Sequence, residues 1–368
     1  MTGRMPLRFV PLVLAVCLTA CARPMQPGDD AGARRAAAGV RAVPALAETT
    51  PVATDGDAAD DPAIWVNAGD PAQSLVIGTD KQRGLHLYDL TGRELQALPD
   101  GRFNNVDLRD GFVREERRVV LVAASNRSDN TIAFYTLDPE ARRLTRLGAG
   151  VPTGLREPYG LCLYASRDGA HYVFVNDAGS GRVRQWRVRA DGERLATELV
   201  REFVVGSQAE GCAADDDTGD LYVAEEDVAL WRYRADPDGG SGRRQVDRVG
   251  GPTGLVADLE GVAIWRGRGG RGYVVVSNQG ANNYAVYRRE GDNDFVGLFE
   301  VVTDAARGVD GTAETDGIDV TSHALGDGLP DGLLVVQDGR NEPPGLRQNF
   351  KLVSWSEVAA ALDQEAGD

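Results

Sequence analysis

The chain has 368 residues, 45 of them glycine, and a formal net charge of −16 at pH 7. A chain of this length can bury a substantial core, as one large domain or two ordinary ones. The acidic balance excludes nucleic acid as a partner, because nothing would neutralise the phosphates, and an anionic substrate would need bound cations to reverse the local field.

The N-terminal segment is predicted to be a signal peptide. Arg4 and Arg8 precede an apolar run too short for a comfortable membrane span, and the run ends in LTAC at residues 18–21. This ending resembles the bacterial lipobox, so we expect residues 1–20 to be removed and Cys21 to be lipidated. The alternative is an ordinary signal with a chance cysteine. We therefore expect an exported lipoprotein of the cell envelope, in contact with the membrane only through its anchor.

The next segment is predicted to be a flexible tether. Residues 21–48 begin with the lipidated cysteine and are rich in Ala, Pro, Gly and charge, with no sustained apolar period. The folded domain is expected to span residues 49–362.

Three kinds of segment then repeat six times in a fixed order. The first kind opens with a polar residue and a turn: DDPAIWV, NNVDLRDGF, PYGLCLYAS, AEGCAADDD, LEGVAIWRG and TDGIDVTSH. The second is apolar and β-branched, as in SLVIGTDK and GYVVVSNQG, and the third carries a late aromatic residue, as in LHLYDL and KLVSWSE. The second and third kinds follow the first in every repeat.

This pattern predicts an all-β protein, a six-bladed β-propeller. The repeats are roughly 45 to 70 residues apart, within and somewhat beyond the range of propeller blades. Short alternating strands with Gly- and Asp-rich turns indicate antiparallel sheet. A two-sheet sandwich is the competing fold, but it does not explain why the three kinds of segment keep register. One helix is expected at the C-terminal SEVAAALDQEA, with Ser356 as its cap.

In a propeller the first kind of segment forms the innermost strands, so its polar residues should meet at one mouth of the channel. The loops after the second kind return to the same mouth and carry Lys81, Arg127, Glu226, Gln279 and Asp338. The acids expected to converge there are Asp60, Glu210, Glu226, Asp258, Glu260 and Asp316. Hard oxygen ligands with few histidines suit several Ca²⁺ ions rather than Zn²⁺.

Two plainer interpretations of these acids remain open. They are either solvated loop residues or ligands of calcium held only for stability. Lys81, Arg127 and Tyr159 at the same rim argue against the second, because cations beside a metal are explained by an anion with several oxygens that bridges them. No Walker loop, nucleophile elbow, or cysteine or histidine phosphatase motif occurs, so hydrolysis would need a metal-activated water.

The two cysteines of the domain leave one question open. Cys162 and Cys212 form either a disulfide, as an oxidising compartment would allow, or two buried thiols.

The repeated segments resemble the β-propeller phytases. The resemblance runs in order across every blade from about Asp57 to Trp355, through DDPAIWV, GTDKQRGLHLYDL, EGCAADDDTGDLYVAEED, ADLEGVAIW, SNQGANNYAVY and DGTAETDGIDV. It implies a six-bladed propeller that hydrolyses phytate, myo-inositol hexakisphosphate, as its calcium salt. The attacking group would be a metal-activated water, and no phosphoenzyme would form.

The resemblance also implies residue roles. The six acids would bridge several calcium ions, with Glu226 among the catalytic residues. Lys81, Arg127 and Tyr159 would grip phosphate, and Arg182 would replace a lysine of the third blade. The remaining expected metal ligands are Asp61, Asp310, Asn341 and the neighbourhood of Val106, together with Gln279 and Asp338 from the rim loops.

Two other functions remain alternatives. One is a calcium propeller hydrolase of another ester, similar to a lactonase or phosphotriesterase, with a single deep calcium. The other is a non-catalytic surface propeller, which would not need Lys81 and Arg127 beside the acids. Whichever function applies, a monomer is expected, since a closed propeller needs no partner for its edges.

Overall fold

The computed structural model describes residue 1 and residues 39–363, apart from residues 193, 327 and 344–345. The predicted signal peptide and Cys21 lie outside the described residues. Six small sheets follow one another along the described chain, which confirms the predicted six-bladed propeller.

Two strands precede the first blade: β1 (Val40–Pro44) and β2 (Ala47–Glu48). Blade 1 contains β3 (Ala59–Trp65), β4 (Leu75–Asp80), β5 (Gly84–Asp89) and β6 (Glu94–Leu98). Blade 2 contains β7 (Phe103–Arg114), β8 (Arg117–Asn126), β9 (Thr131–Asp138), β10 (Arg143–Arg146) and β11 (Val151–Pro152). Blade 3 contains β12 (Pro158–Ala165), β13 (His171–Asp177), β14 (Arg182–Asp191) and β15 (Arg194–Val204).

Blade 4 contains β16 (Ala209–Asp215), β17 (Asp220–Glu225), β18 (Ala229–Arg234) and β19 (Arg243–Arg248). Blade 5 contains β20 (Leu259–Arg266), β21 (Gly272–Asn278), β22 (Asn283–Arg288) and β23 (Phe295–Val302). Blade 6 contains β24 (Ile318–Thr321), β25 (Leu333–Asp338) and β26 (Asn349–Ser354).

Each blade runs from its innermost strand outward, in the order that the three kinds of segment predict. The innermost strands are β3, β7, β12, β16, β20 and β24. Each contacts the next, and β24 contacts β3, so the ring closes around a channel with a cavity of about 410 Å³. The second strands β4, β13, β17, β21 and β25 are buried along their whole length because neighbouring blades cover both faces, and only the start of β8 is exposed. This explains their continuous apolar sequence.

The N-terminal boundary differs from the expected one. Residues 40–48, assigned to the tether from their composition, form β1 and β2. β1 pairs in parallel with β23, and β2 completes blade 6 by pairing antiparallel with β26. Both cover strand edges that would otherwise leave backbone groups unpaired. The folded domain therefore begins by residue 40, not at residue 49.

One α-helix, α1 (Trp355–Ala361), follows β26 and packs Val358 and Ala359 on the core of blades 5 and 6. Its N-cap is Ser354 rather than the expected Ser356, whose hydroxyl instead donates to Oδ2 of Asp331 at 2.6 Å. None of the helices in the described part of the chain combines the length and apolar character needed to cross a bilayer.

The two domain cysteines are paired. Cys162 on β12 and Cys212 on β16 form a disulfide with a Cα–Cα distance of 5.8 Å. It joins the innermost strands of blades 3 and 4.

Candidate active site

Repeated polar-glycine pairs build one mouth of the channel. In β12, β16 and β20 the pair falls in a β-bulge, which re-aims the polar side chain. The glycines allow neighbouring innermost strands to touch. A Cβ on Gly160 would lie 1.8 Å from the carbonyl oxygen of Glu210, and one on Gly211 would lie 2.1 Å from that of Glu260. Because only glycine fits there, acids from successive blades can converge.

Three glutamates form the centre of the mouth. Glu210 lies on β16, Glu226 directly after β17, and Glu260 on β20, and all three are buried. One carboxylate oxygen of each lies within 4.8 Å of the others. Asp60 on β3 and Asp316 just before β24 lie near this group. The charge of each raises the pKa of Glu260, which shows that they are close to it. The structure thus brings together five of the six acids predicted to converge.

Several oxygens of this acid group have no hydrogen-bond partner. They are Oδ1 of Asp60, Oε1 of Glu226 and Oε2 of Glu260, whereas Oδ2 of Asp60 faces the ammonium of Lys81 at 3.4 Å. Buried polar atoms in folded proteins are nearly always paired, and buried carboxylates are costly unless a cation accompanies them. Unpaired carboxylate oxygens in one pocket are the ligand type that calcium prefers. These residues therefore fit a bound cation of that kind.

The electrostatics of the mouth also point to a missing positive charge. Burial, followed by the charge of Asp316, raises the pKa of Glu210 to about 7. Burial also raises the pKa of Glu226 and of Asp316 to about 7. The pKa of Asp60 lies well above its usual range, first through burial and then through the charge of Glu210. Without a cation, these carboxylates resist ionisation.

Lys81 supplies one positive charge from the chain itself. It follows β4, and its Nζ lies 2.7 Å from Oδ2 of Asp316 and 3.4 Å from Oδ2 of Asp60. A third partner is the exposed Asp57, whose Oδ1 lies 2.8 Å away. Burial lowers the pKa of Lys81, but the charges of Asp60 and Asp316 outweigh it and raise that pKa above its ordinary value. The ammonium therefore stays charged beside the acids.

Arg127 and Tyr159 lie together beside Glu210. The guanidinium carbon of Arg127 is 5.8 Å from the centre of the Tyr159 ring. Nη1 of Arg127 donates to Oδ1 of Asn104 at 2.9 Å, and Nδ2 of Asn104 donates to Oε1 of Glu210 at 2.7 Å. Nη2 of Arg127 pairs with Glu157. Asn104 thus connects the arginine to the central glutamate.

Tyr159 keeps its proton at this position. Burial, then the charges of Glu210 and Glu260, raise the pKa of its phenol above the ordinary value. Its hydroxyl therefore stays a hydrogen-bond donor, and its partner is Glu210.

Three predicted site residues lie outside the central acid group, and two of them are linked to it. Asp258 is exposed, and its charge contributes, after burial, to the raised pKa of Glu226. Gln279 follows β21 and donates through Nε2 to Asp316. Arg182 begins β14 but pairs with Glu202 of its own blade.

The remaining predicted metal ligands divide into two places. Asp61 accepts the backbone N–H of Val106 through Oδ2 at 3.0 Å. A second group surrounds the fully buried ammonium of Lys351, and its members are Asp310, Asp338, Asn341 and Glu48. Nζ of Lys351 lies 3.3 Å from Oδ2 of Asp338 and 3.2 Å from Oδ1 of Asn341. Around Lys351, the chain itself supplies a cation for residues expected to bind calcium.

Sequence reasoning assigned no role to three residues of the mouth. Asn104 occupies the same repeat position as the acids, so the register of the repeats places it at the mouth without indicating its role. Asp57 belongs to the acidic run TDGDAADD, and Glu157 directly precedes the Pro-Tyr-Gly of β12. Neither local signal indicates that these carboxylates pair with Lys81 and Arg127.

Chemically, the mouth combines a pocket for hard cations with two fixed cationic side chains and a phenol. Lys81 contacts two members of the acid group directly, and Arg127 is connected to a third through Asn104. Ionised, the acid group would repel an anion unless a cation neutralised it. The arrangement suits a ligand with several anionic oxygens that bridges metal and side chains.

Comparison with solved structures shows the same overall fold. An α-L-arabinofuranosidase from Fusarium graminearum superimposes with a TM-score of 0.56 at 12% identity, covering 85% of this chain and 99% of that chain. An α-L-arabinanase from Penicillium chrysogenum gives a TM-score of 0.54 at 12% identity, with the same coverage. At this identity the likeness concerns the fold alone.

Sequence comparison carries further. A family model described as Phytase matches residues 13–367. A 3-phytase from Bacillus subtilis (strain 168) is 44% identical over 331 residues, which cover 88% of this chain and 86% of that protein. The resemblance seen in the repeated segments is confirmed, and the chain belongs to the phytase family.

Proposed function

We propose that the protein hydrolyses phytate to lower inositol phosphates and phosphate, as a 3-phytase, and that it requires several calcium ions. The observation that carries this proposal is the convergence of Glu210, Glu226 and Glu260, the last two with unpaired oxygens, at the mouth that also holds Lys81 and Arg127. Family membership and the related 3-phytase support the substrate. The chemistry of the donors supports the metal.

The acids of the mouth would hold the calcium. Glu210, Glu226 and Glu260 offer oxygens from three elements, and Asp60, Asp316 and the exposed Asp258 extend the set. When bound, calcium would neutralise carboxylate and phosphate oxygens and acidify a water molecule. Since calcium acidifies water only modestly and needs ionised ligands, we expect a neutral to mildly alkaline optimum.

The basic side chains would hold the phosphates. Arg127 offers a planar guanidinium that Asn104 and Glu157 orient, and Tyr159 offers a phenol proton next to it. Lys81 lies against Asp60 and Asp316. Arg182, which begins β14 and pairs with Glu202, is proposed for a second phosphate of the same molecule. Two separated anion contacts favour a ring that carries several phosphates.

The alternatives fit the mouth less well. A lactonase or phosphotriesterase-like site with one deep calcium would not need five acids around it. A propeller that only binds another protein would not need Lys81 held among buried carboxylates.

The test uses the chain from residue 22 onward, which keeps β1 and β2. Phosphate release from phytate is measured while calcium is titrated from chelated to millimolar levels, with an aryl phosphate as the comparison substrate. Release that depends on calcium and prefers phytate is expected. A protein that melts cooperatively and binds calcium but releases no phosphate would contradict the proposal.

We further propose that the protein is exported and anchored through a lipid on Cys21, and that it is monomeric. The LTAC ending of the apolar N-terminal run supports the anchor, and the closed ring supports the monomer. Labelling with a radioactive fatty acid should mark the wild type and not Cys21→Ser. Light scattering of the chain from residue 22 should give the mass of one copy.

A further inference from the structure

The Cys162–Cys212 disulfide lies in the wall of the candidate active site. Cys162 follows Tyr159 by three residues on β12, and Cys212 follows Glu210 by two residues on β16. The disulfide therefore joins the strand that carries the phenol to the strand that carries the central glutamate. Cys212 also lines the channel below the acids.

The spacing between innermost strands is not set by a shared sheet, because each strand belongs to a different blade. Apolar packing between neighbouring blades and individual contacts across the borders fix it instead. Between blades 5 and 6, the N–H of Gly261 donates to the carbonyl of Asp316 at 2.8 Å. Between blades 6 and 1, the N–H of Gly317 donates to the carbonyl of Asp60 at 3.0 Å. These contacts place the backbone of two predicted ligands.

The border between blades 3 and 4 carries a covalent tie in addition to polar contacts. Nδ2 of Asn176 donates across it to the carbonyls of Ala209, at 3.2 Å, and Glu210, at 3.0 Å. Gly160 packs directly against the carbonyl of Glu210. Along the chain, Cys162 lies two residues after Gly160 and Cys212 lies two residues after Glu210, so the disulfide is close to these contacts.

A firm tie is physically useful at this border. Glu210 sits on a bulged strand and faces Asp60, Glu260 and Asp316, all acidic and mostly buried. Until a cation is bound, repulsion among these charges favours separation of the strands that carry them. A disulfide resists that separation without adding charge to the mouth.

We propose that the Cys162–Cys212 disulfide is a positioning element of the active site, which fixes β12 against β16 so that Tyr159 and Glu210 keep the spacing that phosphate and metal binding require. This inference rests on the proposed function. The disulfide acts through Tyr159 and Glu210 and does not touch the substrate.

The experiment compares three forms of the chain from residue 22: oxidised wild type, wild type reduced with TCEP, and the double variant Cys162→Ala/Cys212→Ala with and without TCEP. Thiol titration after denaturation verifies the cysteine state. Calcium affinity by calorimetry, and kcat and KM for phytate, are measured at 15 °C, well below unfolding. Reduction leaves every side-chain atom in place, so it separates loss of the tie from loss of volume.

If the disulfide positions the site, reduced wild type and the double variant should both bind calcium several-fold more weakly. Their kcat should fall by about tenfold, as expected for a small misplacement of reacting groups. TCEP should not change the double variant further. A lower melting temperature with unchanged kcat, KM and calcium affinity would overturn the inference, because the disulfide would then only stabilise the fold. If oxidised wild type releases no phosphate, the proposed function fails, and calcium affinity alone still decides the positioning role.

Discussion

Lys81 is the residue at which two requirements of the mouth conflict. Its ammonium offsets the charge of Asp60 and Asp316 in the metal-free protein, at 3.4 and 2.7 Å. In the proposed function the same ammonium would compete with calcium for those oxygens and would also contact a phosphate of the substrate. Its removal should therefore act on metal and substrate in opposite directions.

We predict that Lys81→Met binds calcium several-fold more tightly but loses roughly 10- to 100-fold in kcat/KM for phytate. The loss corresponds to one hydrogen bond between charged groups, about 1.5–3 kcal/mol. Calorimetry and phosphate-release kinetics measure the two effects. Arg93→Met is the matched control, because Arg93 is an exposed cation of the same blade paired with Asp89. Weaker calcium binding by Lys81→Met would contradict the assignment of Lys81 as a competing cation.

At the scale of the strand, the polar-glycine pair determines whether acids of successive blades can meet. Gly211 is the clearest case, since a Cβ there would lie 2.1 Å from the carbonyl oxygen of Glu260 and 3.0 Å from the Cα of Gly261. Backbone atoms cannot move aside as a flexible side chain would. A methyl group at this position must push β16 away from β20.

We predict that Gly211→Ala weakens calcium binding and lowers kcat for phytate by more than about tenfold, because Glu210 and Glu260 can no longer reach the same metal ion. Gly242→Ala in the same blade is the control, since a Cβ there meets nothing within 4 Å. Retention of full activity and calcium affinity by Gly211→Ala would show that the close approach is not needed.

The repeats made the blades and the ring of acids predictable, because position along an innermost strand translates directly into position around the mouth. Contacts between distant segments had no such signal. The pairing of β1 with β23, the disulfide, and the group around Lys351 each join residues far apart in sequence. The composition of residues 40–48 is typical of a tether. Their strand structure comes from pairing with the edges of β23 and β26, which lie near the other end of the chain.

For the whole molecule, the N-terminal strands complete the outer edges of blades 5 and 6. β2 supplies the outermost strand of blade 6, and Glu48 at its end pairs with the fully buried Lys351. β1 covers the edge of β23. Loss of both would expose two strand edges and remove one carboxylate from a buried ammonium, which is a costly change.

We predict that a chain beginning at residue 49 melts at least about 5 °C below one beginning at residue 39, and that it self-associates through its uncovered edges. Calorimetry and light scattering provide the measurements. The chain from residue 39 is the control, as it lacks the same signal segment but keeps both strands. Equal melting temperatures and equal masses would mean that β1 and β2 do not stabilise the ring.

The acids of the mouth should also set how the stability of the whole molecule depends on pH. Without metal, Glu210, Glu226 and Asp316 have folded-state pKa values of about 7, above their ordinary values of 4.5, 4.5 and 3.8. A carboxyl group with a raised folded-state pKa stabilises the fold while it is protonated. That contribution is fully present below the ordinary pKa and is lost as pH rises through about 7. Calcium, which binds the ionised groups, should oppose the loss.

We therefore predict that in chelator the melting temperature falls between pH 5 and pH 8, and that millimolar calcium removes or reverses the fall. Glu226→Gln should show a shallower decline in chelator, because one of the titrating groups is gone, and a smaller gain from calcium.

The pKa of His86 is raised by Asp80 and Glu94 against the effect of burial, whereas burial lowers that of His171, so the two histidines change the pH dependence of stability in opposite directions. Both proteins contain the two histidines, so the difference between the melting temperatures of wild type and Glu226→Gln reports on the mouth alone. A melting temperature that rises with pH in chelator, equally in the two proteins, would mean that these carboxylates are not the groups that need a cation.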